Sequence, residues 1–182
     1  MNHLYHQVPS NLEGENLHPL NELKTVKPHI YEKAVQKYKG RQVLLSRKVP
    51  ILDCLWNDVI HFSPIHPAKV FATLDEISGK KFLNAPRSFF EVNPTEMNFN
   101  AENTVIYLHP VRKKGVFDAF PEDFIPFNEK LLVDYQELRL ATIEYFRNAI
   151  KNKQVVFPYV FVPHILHKGS LEIEKLKLIE VD

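Results

Sequence analysis

Apolar and polar positions alternate along this chain at two periods, and the switches between them mark the elements. Residues 4–8 read as a short strand that stops at Pro9. Residues 11–20 are irregular, because Gly14 and Pro19 interrupt any regular run. Residues 28–39 read as a helix: Pro28 suits the first turn, Tyr31, Val35 and Tyr38 share a face, and Gly40 suits the stop. Residues 42–45 and 59–63 have strand character. A second helix opens at Pro67, carries Val70, Phe71, Leu74 and Ile77 at helical spacing, and ends at Gly79. Residues 88–92 read as a strand. Asn93, Pro94, Thr95 and Glu96 then have the pattern of a helix start. Residues 104–109 form a further strand. A loop rich in phenylalanine and proline covers 112–127, and the longest helix is expected over 128–152. Residues 155–162 and 171–181 are strand-rich, and the last run slips phase in its middle, as a bulge does.

Strands and helices are interspersed without strict β-α-β alternation. The pattern predicts an α+β fold, one domain over residues 1–182, with a mainly antiparallel sheet flanked by three helices. Composition adds exclusions. The chain has 182 residues and a formal charge of +1, which argues against a broad electrostatic grip on nucleic acid or anionic lipid. Arg112, Lys113 and Lys114 make a local basic run of the kind usual in a solvated turn. Thirteen prolines against five glycines leave no glycine-rich phosphate loop. No apolar run is long enough for a membrane span, and the first residues lack a signal-peptide pattern. The single cysteine, Cys54, fits a reducing cytoplasm, and its apolar neighbours point to packing rather than nucleophilic work.

Candidate chemistry concentrates in residues 56–67, WNDVIHFSPIHP. Asp58 and His61 point to opposite faces of a strand, and His66 lies beyond Pro64, so the trio lacks the spacing of a metal site. His164 and His167 share a face only on a helix, and Lys168-Gly169 after them reads as a loop. The stretch is therefore a buried strand whose last residues, His61 to Ser63, reach a cleft. Asp58 organises backbone at its start, Ser63 satisfies backbone groups at its end, and His66-Pro67 caps the next helix. Glu91 stands among Phe89, Phe90 and Val92, either as a functional acid or as an edge-strand charge. Glu172, Glu174 and Glu180 read as an outward polar face. Phe117, Phe120, Phe124 and Phe127 read as staples that hold a long loop on the core, with a ring-binding cleft or a partner dock as the alternatives.

Three ordered segments resemble the ADP-ribosyltransferase superfamily, which includes DNA-modifying toxins and RNA 2′-phosphotransferases. Leu4-Tyr5-His6, followed by Asn11-Leu12 and Gly14-Glu15-Asn16-Leu17, is similar to that family's first strand. Val59-Ile60-His61-Phe62-Ser63 looks like its middle motif strand. Val160-Phe161-Val162-Pro163, with Ile165 and residues 176–181, looks like its closing pair. The resemblance implies a split antiparallel sheet around a cleft for NAD, used as substrate and without a metal. It implies that Tyr5 and His6 meet His61, Phe62 and Ser63 there, His6 on a ribose hydroxyl and Phe62 or Ser63 at the nicotinamide. The ligand would be a small nucleotide, and the acceptor of ADP-ribose a protein or nucleic acid.

One departure limits the activity. The family's catalytic glutamate corresponds here to Pro158 or Tyr159, and neither is acidic. That carboxylate stabilises positive charge on the ribose as nicotinamide leaves. Glu91 or Glu172 would have to supply it. A non-catalytic nucleotide-binding module on the same scaffold is the alternative.

Overall fold

The computed structural model describes residues 2–112 and 119–182. In chain order its strands are β1 (Leu4–Gln7), β2 (Asn16–Leu17), β3 (Lys48–Val49), β4 (Cys54–Leu55), β5 (Val59–Phe62) and β6 (Arg87–Val92), followed by β7 (Thr104–Tyr107), β8 (Phe124–Pro126), β9 (His164–Lys168), β10 (Leu171–Glu172) and β11 (Lys177–Val181). The α-helices are α1 (Leu23–Val26), α2 (Pro28–Ala34), α3 (Pro67–Ser78) and α4 (Leu140–Lys151). Every pairing between these strands is antiparallel. The fold is therefore α+β with mainly antiparallel sheets.

Two larger sheets carry the architecture. One has the order β1-β6-β11, the other β5-β9-β7-β8. They meet at a single antiparallel bridge: the Tyr5 amide donates to the Ser63 carbonyl at 2.8 Å, and the Ser63 amide returns to Tyr5 at 2.9 Å. Strand alternation then builds layers. Phe89 and Val181 of the first sheet pack against Phe71, Leu74 and Phe146 of α3 and α4. Leu4, Phe90 and Val92 face Ile60, Phe62, Ile106 and Ile165 of the second sheet. The far face of that second sheet buries Val59, Val105, Tyr107, Phe124 and Leu166 against Val49 and Leu52.

Local chemistry at the WNDVIHFSPIHP stretch follows the reading from sequence. Asp58 accepts from the Leu55 amide and from Asn21 Nδ2, both at 2.7 Å. Ser63 Oγ accepts from the Ile65 amide at 3.0 Å. His66 Nδ1 accepts from the Ala68 amide at 3.2 Å, just before Pro67 opens α3. Gly79 closes α3 at φ 68°, where a side chain would be strained.

Six expectations are corrected. Residues 42–45 form a 3-10 turn, not a strand, with Leu44 alone buried. Asn93 caps the Thr95 amide at 3.1 Å, but only a turn follows, which ends with Asn98 at φ 55°. The long helix is two pieces, a 3-10 run at Glu129–Tyr135 and then α4. Leu132 packs between the sheets whereas Phe146 packs under the first, so one straight helix does not serve both cores. Residues 155–162 are turns: prolines at 158 and 163 remove backbone donors, and Phe161 takes φ 60°. The closing strand is instead β9, which Lys168-Gly169 at its end made look like a loop. It lies between β5 and β7, and His167 is buried there, 5% exposed. The first helix is also shorter than expected, since α2 passes into a 3-10 turn at Val35–Tyr38.

Candidate functional site

The bridge between the sheets opens beside it into a cleft of two chambers. The larger holds about 480 Å³ and is lined by His6, by residues of 9–20, by α2, and by Asn57 to His61 without Asp58. The smaller holds about 310 Å³ and is lined by Arg41, Arg47, Trp56, Tyr107, His109, His164 and the 157–160 turn, among others. Both walls include Lys37, Tyr38 and His61, so the chambers adjoin there. Each volume falls within the range of small-molecule sites.

His6 and His61 meet at that junction. His6 Nδ1 donates to the His61 carbonyl at 2.7 Å, and His61 Nε2 donates to the Trp56 carbonyl at 2.9 Å. Each bond fixes a neutral tautomer and leaves the other ring nitrogen as an acceptor. Burial dominates both rings and pulls each pKa down to about 4, against the opposing pull of the carbonyl bonds. His164, ringed by His109 and His61, is also held well below the usual imidazole value, first by burial. These imidazoles are therefore neutral hydrogen-bonding groups near pH 7 and poorly matched to acid–base work there.

The lining is strongly biased in charge. Lys27, Lys33, Lys37, Arg41 and Arg47 contribute to it, against the single carboxylate Glu13. Glu13 itself bonds His29 Nε2 at 3.0 Å, and its carbonyl accepts from Lys27 Nζ. The Arg47 guanidinium lies 5.0 Å from the Trp56 ring centroid, and that of Arg41 5.8 Å from Phe157. Desolvation lowers the pKa of Lys37, and Arg41 lowers it further. Such a site favours an anion next to a flat ring.

Of the residues expected to meet ligand, the structure brings His6 and His61 to one cleft. Phe62 is 1% exposed and packs on Phe99, in the core beneath it. Ser63 is 5% exposed, outside the lining, and its hydroxyl serves Ile65. Tyr5 and Glu91 pair across β1 and β6, on the face opposite His6 and Phe90. Glu91 accepts from Lys177 at 2.7 Å. Glu172 bonds Lys175 Nζ at 2.8 Å on the surface. The structure does not bring either glutamate into the lining. Pro158 and Tyr159 do line the smaller chamber, without a carboxylate.

The phenylalanine loop is mostly a staple. Phe124 and Phe127 are buried in the core, Phe120 is half exposed under the Arg112 guanidinium, and Phe117 lies outside the described residues. Arg112 is ion-paired with buried Asp123, while Lys113 and Lys114 also lie outside the described residues. Half-buried Cys54 packs beside Val49 and Leu52, and burial raises its thiol to about 11, far from a thiolate at neutral pH. Among the described residues no three His, Cys, Asp or Glu side chains gather as a metal site, and no helix is long and apolar enough to cross a membrane.

The residues missed from sequence are Lys37, Tyr38, Arg41, Arg47, Trp56 and Asn57. The signal was present in KYKGR, where basic and aromatic residues interleave just past a helix. Compared with family models, curated proteins and solved structures, the chain matches none.

Proposed function

We propose that this protein binds a nucleotide along the two chambers, with NAD and ADP-ribose as the ligands closest to the family resemblance. The observation that carries this reading is the five-to-one excess of cations over carboxylates in a lining that also presents Trp56, Tyr107 and Phe157. Phosphates sit near Lys37, where both chambers adjoin, and near Arg41 and Arg47 of the smaller chamber. A base stacks among the aromatic rings of the smaller chamber.

Binding is favoured here over transfer of ADP-ribose. Neither Glu91 nor Glu172 belongs to the lining, and Glu13 is committed to His29. Developing positive charge on a ribose would meet lysine and arginine there, which is the wrong sign for catalysis. Calorimetry with NAD, ADP-ribose, ADP and nicotinamide tests the reading. We expect the phosphate-bearing ligands to bind, more weakly as salt rises, and NAD to survive incubation without nicotinamide release. No heat with any of the four overturns the nucleotide reading. Steady nicotinamide release restores the transferase, with its acceptor a protein or nucleic acid.

A further inference from the structure

We infer that Asn57 reads a sugar in the larger chamber, an inference that rests on the nucleotide reading and adds the chemistry of the ligand's far end. Asn57 belongs to the chamber lining and is 2% exposed. Its Oδ1 accepts from the Tyr38 hydroxyl at 2.7 Å. With Oδ1 engaged in this way, the other end of the amide is left over. The remaining end, Nδ2, is buried and has no hydrogen-bond partner among the described residues. A buried N–H without an acceptor is costly, and folded proteins keep few of them. An acceptor atom brought by a ligand meets that need.

The second half of the recognition is His6. Its Nδ1 is committed to the His61 carbonyl, so the neutral ring offers Nε2 as an acceptor. The chamber therefore presents a donor and an acceptor, neither of them charged. A sugar diol answers both, because each hydroxyl donates and accepts. Of this uncharged pair a phosphate answers only the amide, and its natural partners are the lysines of the wall. Ser10, Asn11 and Asn16 add further polar groups to the same wall, whereas Trp56, Tyr107 and Phe157 belong to the smaller chamber. The polarity of the cleft thus assigns the base to the smaller chamber and a terminal ribose to the larger.

ADP-ribose and ADP differ by that terminal ribose, so calorimetry with the two isolates it. We expect the intact protein to bind ADP-ribose about tenfold more tightly than ADP, the scale of one or two good hydrogen bonds. Asn57→Ala should abolish this preference while leaving ADP affinity within about twofold. Tyr38→Phe, which keeps the amide but frees its orientation, should remove part of the preference. Thermal unfolding and ADP affinity report on folding. If Asn57→Ala does not fold, Tyr38→Phe decides, and a full preference retained there overturns the inference. A protein that binds both ligands equally, or an Asn57→Ala variant that keeps the preference or loses both affinities alike, also overturns it while nucleotide binding stands. Failure of the intact protein to bind either ligand removes the nucleotide reading and this inference with it.

Discussion

Strand β1 carries two polar groupings on opposite faces, and they solve the problem of buried polarity differently. On the face shared with Glu91, the bonds close within the protein. The Tyr5 hydroxyl bonds Glu91, Glu91 accepts from Lys177, and the His66 ring meets Tyr5 edge-on at 4.8 Å while capping α3. Burial, then the Glu91 charge and hydrogen bond, push the Tyr5 hydroxyl up to about 12. On the His6 face the bonding stops short: Nδ2 of Asn57, in the same chamber lining, is buried without a hydrogen-bond partner among the described residues. Both faces hold residues of catalytic type. A polar cluster with closed valences does structural work, and the one with open valences beside a cavity is the place for a ligand.

The largest expected effect separates the two faces by pH. His6, His61 and His167 have folded pKa values of about 4, with burial the leading cause, against 6.5 for a free imidazole. The unfolded chain therefore takes up more protons as acid is added. Their contribution to stability is whole above pH 6.5 and is lost progressively toward pH 4. Glu91 behaves in another window. Burial alone would raise its pKa, but the Lys177 hydrogen bond and the charges of His3, Lys177 and His66 carry it below 4.5. Its contribution is present above 4.5 and is lost only as pH falls through the lower folded value. A single imidazole as buried as His167 accounts for on the order of 3 kcal/mol. Urea unfolding measured across this range should show stability falling from about pH 6.5 downward. A level profile down to pH 5 would break the contrast.

Next in size is the charge of the cleft. Arg47→Ala and Lys37→Ala should each weaken ADP-ribose binding by about tenfold, with the loss shrinking at high salt. Neither should move the urea midpoint far, since both side chains belong to the cleft wall rather than the apolar core. Equal affinity in both variants would place the phosphates elsewhere.

Much of the fold was legible because single elements carry local signals. Pro67, the Val70-Phe71-Leu74 stripe and Gly79 define α3 without help from the rest of the chain. The pieces that misled are those where tertiary context rules. Residues 155–162 are apolar because Val160 and Val162 fill the core, not because they pair. Strand β9 hides its nature because His164 and His167 stay neutral inside the sheet, with His167 bonded to Thr104 Oγ1 at 2.9 Å and stacked on Phe99. The site was legible in half. His6 and His61 stood out as types, but Asn57 became notable only once Tyr38 was seen to use one end of its amide. Glu91 drew attention by its apolar neighbours, and the two beside it, Phe90 and Val92, alternate to the other face of the strand.

The smallest expected effect is the sharpest check on that last point. Glu91→Gln removes the charge and keeps the shape. Lys177 is 70% exposed at its side chain, so their ion pair is largely screened and worth at most about 1 kcal/mol. Tyr5 retains a side-chain amide to bond. The urea midpoint should therefore drop slightly, and ADP-ribose affinity should stay within about twofold, because β1 separates Glu91 from the His6 chamber. A loss of tenfold or more in binding, with stability nearly unchanged, would mean that the outer face reaches the ligand after all. The closed hydrogen bonds of Tyr5, Glu91 and Lys177 would then be a resting arrangement that ligand opens, and the distinction between the two faces of β1 would fall.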